Sequence, residues 1–384
     1  MKLLFYDSEI PEFLRNKGNP IGGACVRQYA IARGLVDNGC TVGILTWKGA
    51  NEYIGQQQIN FDLVESFPRN KGIKILRAFY LWMPLLYKAV NRYRPDYLFQ
   101  KGASPSTLML GIIAKLSGVR FVYMATSNKD GDERLATVRN RFPRYMFYMG
   151  LKFATTIVCQ NNYQHDSFVK MFPNKKVILM RNPYLNTSGL DQVKPLEQRS
   201  YFAWIGNYRT VKNLPAVYEI AKRMPDYNFK IAGARTFKRD FDLKTKEAVI
   251  NLEKLSNVDF VGHLKREQII PFLSNAYALF NTSHLEGFSN TFLEAFAAGT
   301  PVITREEIDP DGIIASNNLG KVVQHYPEFQ QALLDITNDP NYQEVAANCQ
   351  RYLQEEHGAK WITGNLLKHL ENNHNGKEEK ELVI

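Results

Sequence analysis

Two glutamates, Glu286 and Glu294, bracket a polar loop in the stretch SHLEGFSNTFLEAFAAGTPVIT, residues 283–304. The loop HLEGFSN leads into TFLEAFAAG, whose apolar residues recur with helical spacing until Gly299 closes the run. Ser289 and Asn290 are residue types that favour a helix N-cap, so this pattern predicts first-turn backbone N–H groups, Ser289 to Thr291, that lack partners within the helix. A terminus of that kind attracts anions, phosphate above all. Gly287 removes a side chain where a ligand would approach the backbone. On an outer surface the two carboxylates would be solvated charge; in a cleft they would hold a ligand. The surrounding elements decide between these.

Short apolar runs alternate with helical patterns along the whole chain. In the first half, KLLFYD (2–7), TVGILTW (41–47), DYLFQ (96–100), VRFVYMAT (119–126) and TTIVCQ (155–160) read as strands. GACVRQYAIARGLVDNG (23–39) and SPSTLMLGIIAKLSG (104–118) read as helices between them. The second half repeats this order with YFAWIG (201–206), NFKIAG (228–233), VDFVG (258–262), YALFNTS (277–283) and PVIT (301–304). Strands alternating with helices imply parallel sheets covered on both faces. The expected architecture is α/β, with two doubly wound, Rossmann-like domains facing across a cleft. Its boundaries are 1–186 for the first domain, 187–199 for an Asn-, Pro-, Gly- and Ser-rich linker, and 200–372 for the second. The last helix of the second domain is expected to be able to pack back on the first, and 373–384 reads as a frayed tail. Open sheets of this class bind ligands beyond the carboxyl ends of their strands. YALFNTS delivers the Glu286 loop to such an end.

Charge is divided unevenly. Residues 1–190 carry 26 Lys+Arg against 12 Asp+Glu, a net +14, while 191–384 carry 22 against 26, a net −4. A basic first half implies an anionic partner: nucleic acid, an anionic membrane face or a phosphorylated acceptor. No nucleic-acid-binding motif accompanies the charge, so no nucleic acid is expected. RAFYLWMPLLYKAVNRYR (77–94) and RNRFPRYMFYMGLKF (139–153) mix basic and aromatic residues, as core helices with charged outer faces do and as interfacial membrane surfaces also do. No apolar run reaches the ~18–20 residues of a bilayer crossing, and the N-terminus lacks the pattern of a signal peptide. A cytoplasmic protein, peripheral at most to the inner membrane face, is expected. Cys25, Cys40, Cys159 and Cys349 are scattered and read as free thiols. The histidines show no metal spacing.

These residues resemble a known family. Glu286 and Glu294 fit the Glu-x7-Glu signature of retaining glycosyltransferases of the GT-B fold, family 4 (glycosyl transferases group 1), and EGFSNTFLEAFAAGTPVI is similar to that family's wider motif. GNYRTVKN (206–213) resembles the family's Gly-Arg-…-Lys loop after the first strand of its second domain. Lys212 stands at the lysine spacing, Asn207 where the arginine is common, and Arg209 two residues later. NPIGGACVRQYA (19–30) is similar to the family's Gly-Gly loop, with Gly22 and Gly23 placed to meet donor phosphate or acceptor.

The resemblance implies a transferase moving a sugar from a nucleotide-sugar donor, a UDP-sugar first, to a hydroxyl of a lipid-linked or lipopolysaccharide glycan. Glu286, beside the N–H groups of Gly287 and Phe288, would position the transferred sugar and Glu294 the ribose hydroxyls. Arg209, Lys212 and the Ser289, Asn290 and Thr291 amides would face the pyrophosphate. No cofactor and no metal are implied. Asp130-Gly131-Asp132 imitates an Asp-x-Asp metal motif but is read as a loop. The family's mid-sheet histidine is missing from MATSNKDGDER (124–134), leaving Asn128, Lys129 and Asp130 as acceptor candidates. A nucleotide-sugar epimerase of similar form, or a nucleic-acid binder using the basic half, are the competing readings.

Overall fold

The computed structural model describes residues 1–15, 22–55, 59–69, 71, 77–131, 141–187, 190–234 and 241–371. Its described residues divide into two compact units: residues 1–15, 22–185 and 359–371 in the first, and residues 186–358 in the second. The first unit holds seven strands: β1 (Lys2–Tyr6), β2 (Thr41–Trp47), β3 (Asp62–Phe67), β4 (Tyr97–Lys101), β5 (Arg120–Met124), β6 (Thr156–Cys159) and β7 (Lys176–Leu179). They lie in the order β3-β2-β1-β4-β5-β6-β7, every pair parallel. The second unit holds β8 (Tyr201–Ile205), β9 (Phe229–Ala232), β10 (Val258–Gly262), β11 (Ala276–Asn281), β12 (Val302–Arg305) and β13 (Gly320–Val323), in the order β10-β9-β8-β11-β12-β13, again all parallel.

The strand sequences explain the layering. Leu3, Leu4 and Phe5 are consecutive and fully buried, as are Phe202 and Ala203. Both faces of such strands are covered by helices, so the runs are continuous rather than alternating. The first unit has a core on each sheet face: Leu98, Leu110, Phe121 and Phe147 on one, Phe5, Ile31, Phe99 and Val122 on the other. A further core around Phe202, Trp204, Phe229 and Phe280 organises the second unit.

The helix Ala359–Glu371 groups with the first unit. Ile362, Leu366 and Leu370 are fully buried with Leu3, Phe5 and Leu35, and Tyr97 Oη donates to Leu370 O at 2.7 Å. Gly34 makes the approach: a Cβ there would lie 2.6 Å from Ala359 O. The expected 187–199 linker is not a free connector. Val193 and Leu196 pack on the second core, and buried Arg199 donates to Ala276 O, Gly299 O and Thr300 Oγ1 at 2.8–3.0 Å. Its polar composition concealed these anchors.

Among the described residues, no helix is long and apolar enough to cross a membrane. Met83–Tyr93 buries Leu86, Ala89 and Val90 and exposes Tyr87, while Arg141–Leu151 buries Phe147 and Leu151 and exposes Phe142 and Tyr145. Both helices pack against Ser106–Leu116.

Candidate active site

In the second sheet, β8 and β11 are neighbours, while the chain runs outward from β8 through β9 to β10 and from β11 through β12 to β13. The loops leaving β8 and β11 therefore diverge, opening a crevice at the carboxyl edge. Lys212 lies in one loop and Glu286 in the other. The loops are joined: His284 N donates to Val211 O at 2.8 Å, and Thr282 Oγ1 to Lys212 O at 2.9 Å. Trp204 Nε1, from the end of β8, donates to the same Thr282 hydroxyl at 3.2 Å. Gly233 sits under this junction with φ +146°, and a Cβ on it would fall 1.9 Å from Gly206 O. Only glycine fits there.

On this frame Lys212 Nζ forms an ion pair with Glu286 Oε1, which also accepts from Ser283 Oγ at 2.8 Å. The two side chains keep 19% and 16% of their surface open, so the pair is partly shielded yet reachable. Glu286 Oε2 has no hydrogen-bond partner among the described residues. Lys212 sits at the end of a 3-10 turn, Thr210–Lys212, and Arg209 is exposed just before it. Gly287 and Phe288 continue the Glu286 loop, where Phe288 packs its ring on His357 at 5.5 Å between centroids.

The helix predicted after the loop is Asn290–Ala297. Ser289 occupies its N-cap with extended backbone, but its buried hydroxyl meets Thr291 Oγ1 at 2.9 Å and caps no amide. The helix start thus lacks the side-chain acceptor that Ser usually supplies. One turn further, Glu294 is partly buried, and burial pushes its carboxyl up to about 7 while Arg266 pulls the other way. That carboxyl accepts no hydrogen bond among the described residues. An unused acceptor held in a desolvated position suits a ligand that brings hydroxyl donors.

The other candidates lie in the first unit. Gly22 precedes the helix Gly23–Asp37 with φ −69°, and a Cβ there would meet nothing within 4 Å. Neither backbone nor neighbours among the described residues require glycine at this position, and Gly23 beside it is also exposed. In the turn Asn128–Gly131, Asp130 is buried, which corrects its reading as an acceptor residue. Its Oδ2 accepts from Thr126 N, Thr126 Oγ1, Ser127 N and Tyr123 Oη at 2.8–3.2 Å, folding the loop around itself. Asn128 Oδ1 is likewise taken up, by Asn161 Nδ2 and Gln164 Nε2. Lys129 is partly exposed. Asp132 lies outside the described residues.

Sequence reasoning missed Ser283 and the ion pair of buried Asp7 with half-buried Lys101, which Glu9 joins. Ser283 was within the motif and its hydroxyl was the available signal. Asp7 and Lys101 end strands far apart in the chain, and only the strand order makes them neighbours.

The family model for glycosyl transferases group 1 matches residues 190–355. The second unit is thus similar, over nearly all of its length, to a glycosyl transferases group 1 domain. Over 166 residues it is 28% identical to the O-antigen chain mannosyltransferase RfbU of Salmonella typhimurium, a match covering 42% of this chain and 45% of that one. The chain thus spans less than half the length of this curated relative. Whole-chain likeness appears in solved structures. Sucrose-phosphate synthase from Thermosynechococcus elongatus superposes with TM-score 0.74 at 14% identity, covering 98% of this chain and 100% of that one. Anabaena Alr3699/HepE, solved with UDP and glucose, gives 0.72 at 16% identity, covering 96% and 99%. The fold is GT-B, two Rossmann-like domains each built on its own parallel sheet.

Proposed function

We propose that this protein is a retaining glycosyltransferase that moves a sugar from a nucleotide-sugar, a UDP-sugar first, to a hydroxyl of a glycan or glycolipid. The observation that carries this is the Lys212–Glu286 pair at the switch point of the second sheet, beside an uncapped helix start and the unpartnered carboxyl of Glu294. The solved neighbour holding UDP and glucose and the relative named as an O-antigen chain mannosyltransferase support the same choice of ligands.

Breaking the sugar–phosphate bond leaves negative charge on the departing diphosphate. Lys212, Arg209 and the backbone amides of Ser289, Asn290 and Thr291 answer it with fixed positive charge and dipoles. A single preorganised donor of this kind lowers the barrier by about 3–4 kcal/mol. Because these groups neutralise the leaving group, the reaction needs no metal. Glu286, with the Gly287 and Phe288 amides, orients the sugar hydroxyls, and Glu294 receives the ribose diol. In the first unit, the helix opened by Gly22 and Gly23 offers amides to a phosphate or to the acceptor.

Two helices of the first unit expose basic and aromatic residues: Tyr87, Lys88 and Arg92 on Met83–Tyr93, and Arg141, Phe142 and Tyr145 on Arg141–Leu151. We assign these side chains to contact with an anionic membrane surface on the cytoplasmic side, where lipid-linked acceptors are presented. Co-sedimentation with liposomes should rise with anionic lipid content, and binding indifferent to that content refutes the assignment.

Activity is tested by incubating the protein with UDP-, GDP-, ADP- and dTDP-sugars, with and without glycan acceptors. Release of nucleoside diphosphate that depends on acceptor, with the product keeping the donor's anomeric configuration, is expected. An inverted anomer overturns retention. Isomerised donor formed without acceptor overturns transfer.

A further inference from the structure

The sheet of the first unit has its own switch point. β1 and β4 are neighbours, with the chain running outward to β2 and β3 on one side and to β5, β6 and β7 on the other. At their carboxyl ends stand Asp7, one residue past β1, and Lys101, the last residue of β4. Asp7 is fully buried and fully engaged. Its Oδ1 accepts from Glu9 N at 2.7 Å and Ile10 N at 3.2 Å, and its Oδ2 from Lys101 Nζ at 2.6 Å. Trp47 Nε1 donates to Ser8 O at 3.2 Å and fixes the same segment. Asp7 therefore positions two groups: the backbone of Glu9 and the ammonium of Lys101.

Those two groups remain available. Glu9 Oε2 lies 3.4 Å from Lys101 Nζ, and the side chains are 51% and 14% exposed. Glu9 has no hydrogen bond on its carboxylate among the described residues. An ammonium has three donors, of which Asp7 takes one. Burial works against the Lys101 charge, but Asp7 and Glu9 outweigh it and keep the group protonated.

We propose that Glu9 and Lys101 form a carbohydrate subsite, in which Lys101 donates to one hydroxyl of the acceptor sugar and Glu9 accepts from its neighbour. The inference rests on the reading of the first unit as the acceptor domain. Local charge selects the ligand class. Two carboxylates against one ammonium leave the cluster at net −1, because burial keeps the nearby Cys25 thiol protonated. A phosphate or carboxylate is repelled there, whereas an uncharged hydroxyl pair meets a donor and an acceptor side by side. The same balance argues against a metal ion: Lys101 already supplies the positive charge between the carboxylates, and Cys25 offers no thiolate.

The test uses the full chain without nucleotide. Saturation-transfer NMR with methyl α-mannopyranoside and methyl β-glucopyranoside should show binding by wild type. Glu9→Ala, which leaves the Asp7–Lys101 pair intact, should weaken it roughly tenfold or more. Lys101→Met should do the same, with Glu9→Ala deciding if that variant fails to fold. The thermal shift given by UDP should match wild type in Glu9→Ala. Absent glycoside binding in wild type, unchanged binding in Glu9→Ala, or tighter binding of mannose 6-phosphate than of the methyl glycoside overturns the proposal. A wild type that binds glycoside but gives no thermal shift with UDP overturns the transferase reading and leaves the subsite standing.

Discussion

Glu294→Gln should stabilise the ligand-free protein at alkaline pH while weakening nucleotide binding, and the two effects have one origin. Burial raises the Glu294 carboxyl from 4.5 to about 7. At ~1.4 kcal/mol per tenfold change in proton affinity, that is on the order of 3 kcal/mol, an upper value because the residue keeps some exposure. The direction follows from linkage. The folded state holds its proton more tightly than the unfolded chain, so stability is fully present below pH 4.5 and is lost as pH rises through about 7. Glutamine carries no such penalty. Urea unfolding of wild type and variant at pH 4.5 and pH 8 isolates this residue, because the buried Asp130 and Asp309, also shifted upward, are common to both. The variant should match wild type at the lower pH and exceed it at the higher by up to about 3 kcal/mol.

Binding should go the other way. Ribose hydroxyls donate to the carboxylate and favour its charged form. UDP affinity of wild type, measured by calorimetry, should therefore fall as pH drops below 7, with proton release on binding. Glutamine should abolish that dependence and weaken binding at pH 8 by roughly 10- to 100-fold, as expected for hydrogen bonds to a charged group. A variant no more stable than wild type at pH 8, or one that binds UDP equally well, refutes the reasoning.

Lys212→Ala should reduce turnover by about 10²–10³-fold with the unfolding midpoint little changed, read from steady-state kinetics and thermal melts. Glu286→Gln should lower turnover while leaving UDP binding intact, because its unpaired oxygen is assigned to the sugar; a calorimetric titration separates the two. Gly233→Ala should destabilise the protein by more than 1 kcal/mol and disturb UDP binding, since the new Cβ would collide with Gly206 O under the Lys212 loop. Leu366→Ala should cost about 2–5 kcal/mol in urea unfolding, with the loss falling on the first unit rather than the second.

The strand-to-helix alternation was legible because buried parallel strands are continuous apolar runs, and ten of the thirteen strands stand out in this way. KKVILM (175–180), around β7, makes the eleventh apolar run of the same kind. The two that did not stand out, DLVESF (β3) and GKVV (β13), are edge strands, half solvated and carrying Asp62, Glu65 and Lys321. The Ser289 helix start and both glutamates could be read because loop, cap and helix are contiguous, and local spacing alone sets their geometry. Chain order could not say where residues distant in sequence would meet. Lys212 and Glu286 pair only because β8 adjoins β11, and Asp7 and Lys101 only because β1 adjoins β4. The C-terminal helix likewise joined the first unit through Ile362, Leu366 and Leu370, whose apolar face would have suited either core. Local periodicity fixes what each segment becomes; the energy of burying its faces and pairing its charges, summed over partners far along the chain, decides which segments meet.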